Sequence, residues 1–288
     1  GGTKGSHIVL DNPTLFEACD GREIFFENSD GRIVLMYPIM NRVLVGTTDT
    51  PVDMRDEIVC TDEEVEYFFD LVSRVFPQID IDPSQIVYRY SGVRPLPATG
   101  DVNPGVVSRD YRIVEASLGS TPVLSLVGGK WTTFRAVGEH LADEVLALLG
   151  STRKVSTENL PIGGGKGFPR THSERARWVE NHLATLSEAR VDQLLGRYGT
   201  YASRIIAHLE LVGDEALVHH PDYSRGEIEF LVTEERVMTL ADLIKRRTSL
   251  LFCGDLSQEL HEELGMLQSH LLKWTPERTH KEIASSAS

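Results

Sequence analysis

Pro122-Val123-Leu124-Ser125-Leu126-Val127 leads without a break into Gly128-Gly129-Lys130-Trp131-Thr132-Thr133, and that into Phe134, Val137, Leu141, Val145 and Leu148 at helical spacing. The first segment reads as a buried strand, the second as a glycine turn, and the third as the apolar stripe of a helix capped by threonine and closed by Gly150. A turn without side chains lets a flat ligand approach backbone N–H groups at the positive end of a helix dipole. A tight strand-to-helix connection would use the same residues, and spacing alone leaves both readings open.

Upstream, short β-rich runs around Ile24-Phe25-Phe26, Ile33 to Tyr37 and Val43-Leu44-Val45 are separated by Asn28-Ser29-Asp30-Gly31 and Asn41-Arg42. This pattern predicts an antiparallel meander, with Pro38 at an edge or strand end because it has no N–H for a central ladder. At Thr61-Asp62-Glu63-Glu64 a capping box opens an amphipathic helix carrying Val65, Phe68, Phe69, Val72, Val75 and Phe76, which ends before Pro77. Further strands are expected at Ile86 to Tyr90, Val106-Val107 and Arg112-Ile113-Val114.

Downstream, the polar stretch 151–170 centres on Gly163-Gly164-Gly165-Lys166-Gly167, loses all periodicity and reads as a linker or mobile loop. Residues 171–280 read almost wholly as helix, for example Val191 to Leu195 and the run through Val237, Leu240, Leu243 and Ile244. The fold class is therefore α+β up to Gly150 and all-α afterwards.

A chain of 288 residues, 41% hydrophobic and 25% charged, can bury a real core and suits about two domains. Its net charge of -14 and pI near 5.2 argue against a nucleic-acid partner, so small anions must be met by local cations. Cys19, Cys60 and Cys253 are far apart with no CxxC pair, which suggests neither a disulfide framework nor a zinc site and fits a reducing cytosol. No apolar stretch is long enough to span a bilayer; peripheral membrane contact stays open. The start, Gly1-Gly2-Thr3-Lys4, reads as an internal start or as residues left from a tag.

The 128–133 turn is not a Walker A loop, because Leu124 stands where the first glycine is required and Trp131 where Ser or Thr should hold magnesium. Phe168 likewise spoils GxGxxG after Gly163 and Gly165. The turn does suit the pyrimidine edge of a flavin, where negative charge accumulates on reduction. Arg94, in a Gly/Pro-bounded segment after a strand, and Arg109 offer guanidinium forks for phosphate or carboxylate, although a lone arginine is more often a structural ion pair. His7, just before an apolar strand, is a candidate general base. His219, His220 and His261 lack metal-ligand spacing and are expected on exposed helices or loops, and no metal site is expected. Lys245-Arg246-Arg247 reads as a solvated helix face or dipole partner, with phosphate or lipid-headgroup contact the sharper alternative.

Lys4-Gly5-Ser6-His7-Ile8-Val9, Gly31 to Val34, Val45-Gly46-Thr47-Thr48-Asp49, Tyr90-Ser91-Gly92-Val93-Arg94-Pro95-Leu96, Ser108-Arg109-Asp110-Tyr111 and Gly128 to Arg135 together resemble, in order, blocks of the FAD-dependent, quinone-reducing glycerol-3-phosphate dehydrogenases. Thr239 to Thr248 is similar to that family's helical C-terminal domain, so the resemblance covers nearly the whole chain. It implies an antiparallel cap sheet with helices (1–118), the last strand and helix of an FAD-binding domain (119–150), a linker (151–170) and an all-α C-terminal domain (171–288). It implies FAD as cofactor, glycerol 3-phosphate as substrate and a quinone as acceptor. Arg94 and Arg109 would hold the substrate phosphate, His7 and Lys130 would flank the reacting carbinol, and Gly128, Gly129, Lys130, Trp131, Thr132 and Thr133 would lie under the flavin. In that family the GxGxxG unit precedes the point where this chain begins, so the isolated chain is expected to be inactive. A cytoplasmic location is implied, with contact at the inner face of the membrane and a homodimer left open. The alternatives are an amino-acid-oxidase-like flavoprotein using one arginine for a carboxylate, or a helical binding or dimerisation module with an exposed apolar face around 237–247.

Overall fold

The computed structural model describes residues 2–53, 55–95 and 110–286. It divides into two compact units, 1–160 and 161–288.

The first unit is organised around β1 (Gly2–Leu10), a nine-residue strand. One side of β1 pairs antiparallel with β6 (Ile86–Pro95) along its whole length. Its other side pairs first with β5 (Thr50–Val52) and then with β4 (Arg42–Gly46). Beyond β4 come β3 (Ile33–Ile39) and β2 (Ile24–Glu27), which form the expected antiparallel meander. Pro38 pairs with Val43 past the end of β2, so its missing N–H breaks no ladder there.

One face of this sheet carries Ile8, Leu10, Val34, Met36, Val43 and Val45 into a core closed by Leu15 of α1 (Pro13–Ala18) and by Val65, Phe68, Leu71 and Val72 of α2 (Asp62–Val75). The capping box that starts α2 is formed, with Glu64 N–H donating to Thr61 Oγ1 and Thr61 N–H to Glu64 Oε2. The helix ends on Phe76, before Pro77.

The second part of this unit differs from the sequence expectation. β7 (Arg112–Leu118) and β8 (Thr121–Val127) form a two-stranded antiparallel sheet, followed by a 3₁₀ turn at Trp131–Thr133 and α3 (Phe134–Leu148). The expected buried strand is not buried: every position of β8 is exposed or half-buried, with Leu126 45% exposed. Its edge away from β7 has no partner among the described residues. Of the α3 stripe only Val137 is buried, while Phe134, Val145 and Leu148 are exposed. Threonine does not cap the helix either: Thr133 Oγ1 donates back to the Lys130 carbonyl, and no side chain caps α3. Gly150 does end the helix, at positive φ, with its N–H on Ala147 and that of Ser151 on Leu146.

The 151–170 stretch has neither helix nor strand, yet each half is held. Arg135 donates to the carbonyls of Thr157 and Leu160. Gly164 packs on the Tyr198–Gly199 backbone, where a Cβ would collide, and its carbonyl accepts from the Thr200 N–H at 2.8 Å.

The second unit contains α4 (His172–Glu180), α5 (Glu188–Tyr198), α6 (Ala202–Val212), α7 (Arg225–Glu234), α8 (Leu240–Asp242), α9 (Gln258–Leu272) and α10 (Pro276–Ser286). Val191, Leu194 and Leu195 are fully buried in one cluster, and Ile228, Leu231, Leu240, Leu243, Ile244, Leu260 and Leu264 in another. Val237, Leu240, Leu243 and Ile244 thus face inward, which removes the exposed stripe that a dimerisation reading of 237–247 required. Arg246 and Arg247 of the basic run pair with Asp242 and Glu235. His261, expected to be exposed, is buried with Nε2 on Ser286 Oγ at 2.7 Å, because α10 folds back over α9. The wholly buried Glu227 side chain is matched by Arg190, Arg197 and the Tyr198 hydroxyl at 2.6–3.0 Å, and so is a satisfied structural charge.

Candidate active site

Directly opposed residues of antiparallel strands share a face, as do residues two apart along a strand. Registers of His7 with Gly46 and Tyr90, Gly5 with Gly92, and Thr3 with Arg94 therefore place these residues on the sheet face opposite the core. The His7 ring stacks on Tyr90 with centroids 5.1 Å apart and planes at 9°. Its other neighbour is Gly46, where any Cβ would overlap the imidazole. His7 Nδ1 is buried with no hydrogen-bond partner among the described residues. Burial, and then the nearby Arg94 charge, lower the His7 pKa to about 4. The ring is neutral at pH 7 and able to accept a proton.

Arg94 lays its guanidinium over Gly5, again where a Cβ would overlap it. Nη1 donates to the Thr48 carbonyl and to Asp49 Oδ1, each at 3.2 Å, and Nη2 donates to Thr47 Oγ1 at 3.0 Å. A guanidinium has five N–H donors, so Nε–H and one Nη2–H find no acceptor among the described residues. That edge is the one that forks onto a phosphate or carboxylate.

The Thr47–Asp49 segment that grips Arg94 joins β4 to β5, and it runs beside β1 where neither strand pairs with it. Thr48 fills the gap: its hydroxyl accepts the Ser6 N–H at 3.0 Å and donates to Glu64 Oε1 at 2.7 Å. Lys4, also buried, closes the network with Nζ 2.8 Å from Glu64 Oε2 and 2.8 Å from the Val59 carbonyl. Burial pushes the Glu64 carboxyl up, but Lys4, the Thr61 N–H and Thr48 bring it below the usual carboxylate range. Glu64 thereby anchors the start of α2 to the segment that holds Arg94.

The 128–133 turn is built separately. Gly128 and Gly129 have φ of 77° and 102°, and a Cβ on Gly128 would sit 2.9 Å from the Asp110 carbonyl. These glycines are needed for the chain to pass Asp110 and Tyr111, whatever binds there. The N–H groups of Trp131 and Thr132 have no acceptor within the described chain, and the Trp131 side chain is 92% exposed. The side chain of the exposed Lys130 makes no hydrogen bond or ion pair among the described residues, to His7, Arg94 or any other. Arg109 lies outside the described residues, as do Leu96, Val106, Val107 and Ser108. The structure therefore brings His7 and Arg94 together and keeps Lys130 with the turn. No group of three or more His, Cys, Asp or Glu among the described residues is placed to hold a metal.

Residues 2–143 match the FAD dependent oxidoreductase family, and residues 155–279 match the C-terminal domain of alpha-glycerophosphate oxidase. Residues 2–143 belong to the FAD dependent oxidoreductases. Among curated relatives of this flavoprotein, a glycerol-3-phosphate dehydrogenase of Synechocystis is 30% identical over 98% of this chain and 51% of its own length. A D-erythritol 1-phosphate dehydrogenase of Brucella abortus is 29% identical over 85% of this chain and 48% of its own. The flavoprotein chain thus spans about half the length of the curated relatives it matches. In fold it is similar to the glycerol-3-phosphate dehydrogenase from Bacillus halodurans complexed with FAD, with a TM-score of 0.78 at 23% identity, over 99% of this chain and 56% of that one.

FAD fits the turn in one respect that the structure shows: the Trp131 and Thr132 N–H groups, which have no acceptor among the described residues, are donors of the kind a flavin carbonyl edge would accept, beside an exposed indole. Sequence reasoning missed the floor of the sheet site. Gly5, Gly46 and Gly92 lie on three different strands, and glycine inside a strand is itself a sign of close approach.

Proposed function

We propose that this chain forms the substrate side of an FAD-dependent glycerol-3-phosphate dehydrogenase, which oxidises sn-glycerol 3-phosphate to dihydroxyacetone phosphate and passes the electrons to a quinone. The observation that carries this reading is the open Nε/Nη2 edge of Arg94 beside a neutral His7 on one glycine-floored face. Arg94 takes the phosphate dianion, with Arg109 as the second cation. His7 accepts the hydroxyl proton while the carbinol carbon loses its hydride, so the alcohol gives up two electrons and two hydrogens. Lys130 supplies positive charge near the reacting oxygen. FAD, when bound, supplies the hydride-accepting chemistry. The reading carries with it a cytoplasmic location with peripheral contact at the membrane.

The β8 edge that has no partner among the described residues, and the exposed α3 stripe, support a second element of the proposal, that this chain alone does not turn over. FAD titration followed by visible absorbance and flavin fluorescence, with glycerol 3-phosphate then added anaerobically, tests both. The expected result is no bleaching with this chain and bleaching with one extended at its N-terminus. An extended chain that binds FAD, ignores glycerol 3-phosphate and is bleached by an amino acid would replace the substrate assignment.

A further inference from the structure

Gly92 stands between Tyr90 and Arg94 on β6, opposite Gly5 on β1. Unlike Gly5 and Gly46, which lie beneath the Arg94 and His7 side chains, Gly92 is exposed, and a Cβ there would meet nothing within 4 Å among the described residues. Its φ lies outside the left-handed region, so backbone conformation does not demand glycine. Tyr90 and Arg94 are four residues apart on an extended strand, roughly 13 Å between Cα atoms. Gly92 thus leaves bare backbone on this sheet face, with the stacked Tyr90 and His7 two residues along and the Arg94 guanidinium, which lies over Gly5, directly across from it.

We infer that Gly92 is a specificity-determining residue whose missing side chain makes room for the carbon backbone of a short polyol phosphate, between a phosphate on Arg94 and a carbinol at His7. The inference rests on the substrate reading proposed above. A methyl group on this floor would leave Arg94 and its phosphate contacts in place while lifting or displacing the carbon chain. Gly92→Ala should therefore separate two ligands that share a phosphate.

Isothermal titration calorimetry of the full chain at pH 7 with inorganic phosphate and with glycerol 3-phosphate makes the comparison. Wild type is expected to bind both, and Arg94→Gln to lose both. Gly92→Ala is expected to bind phosphate within about twofold of wild type but glycerol 3-phosphate about tenfold more weakly, the usual effect of one misplaced methyl in a fitted site. Gly92→Ser serves as the second variant should the alanine chain fail to fold, with the same expected pattern. Equal affinity of either folded variant and wild type for glycerol 3-phosphate would overturn the role of Gly92 while leaving the phosphate site standing. Absence of binding to wild type would overturn both.

Discussion

β1 is buried at every described position except His7, whereas β8, the more apolar of the two in sequence, is exposed or half-buried throughout. The difference lies in partners rather than in residues. β1 has strands on both sides and α2 beneath it; among the described residues β8 has β7 alone, and α3 turns most of its apolar stripe to solvent. Hydrophobic burial stabilises in proportion to the area removed from water, so the same pattern is worth far more in the first setting than in the second. The two regions also divide the chemistry. The packed sheet holds the neutral His7 and the open edge of Arg94, while the strand and helix with fewer partners among the described residues carry the glycine turn.

The contrast breaks most visibly in stability. Phe68→Ala, beneath the sheet, should cost about 3–5 kcal/mol in urea unfolding, and Leu126→Ala on β8 at most about 0.5 kcal/mol. Comparable losses would mean that β8 is packed in solution. Lys4→Ala should cost about 3–5 kcal/mol by stranding the Glu64 carboxylate. Combining Lys4→Met with Glu64→Leu should recover most of this. At the helix starts, Thr61→Ala should lose about 1 kcal/mol, and Thr133→Ala much less, since of these two only the Thr61 side chain caps its helix. The last effect appears only on acidification. His7 is held neutral in the folded chain down to about pH 4, while the unfolded chain takes up its proton near pH 6.5. Its contribution is complete above that pH and declines as pH falls from about 6.5 toward 4. His7→Asn should flatten that part of the stability profile.

Much of this was legible in the residues. The 22–50 meander, the Thr61–Glu64 box and the stop at Phe76 follow from local chemistry, which neighbouring residues alone determine. His7 and Arg94 stood out by residue type. That they share a face could not be read, because it depends on the register of β1 with β4 and β6, set by residues more than thirty positions away. The same holds for the Lys4–Glu64–Thr48 network and for the glycine floor. The burial expected of Leu126 failed because an apolar run records what a segment is made to cover, not whether its cover is there. His261 was misplaced for the opposite reason, since α10 returns to bury it.

The most direct test of the central claim is an NMR titration of His7 in the chain labelled with ¹³C-histidine, with and without glycerol 3-phosphate. The free ring should titrate near pH 4. A bound phosphate dianion should raise that value by offsetting the Arg94 charge, and Arg94→Gln should abolish the ligand's effect. A His7 that titrates near 6.5 in the free chain, or one that ignores glycerol 3-phosphate while Arg94 is intact, would contradict the assignment of this sheet face as the substrate site.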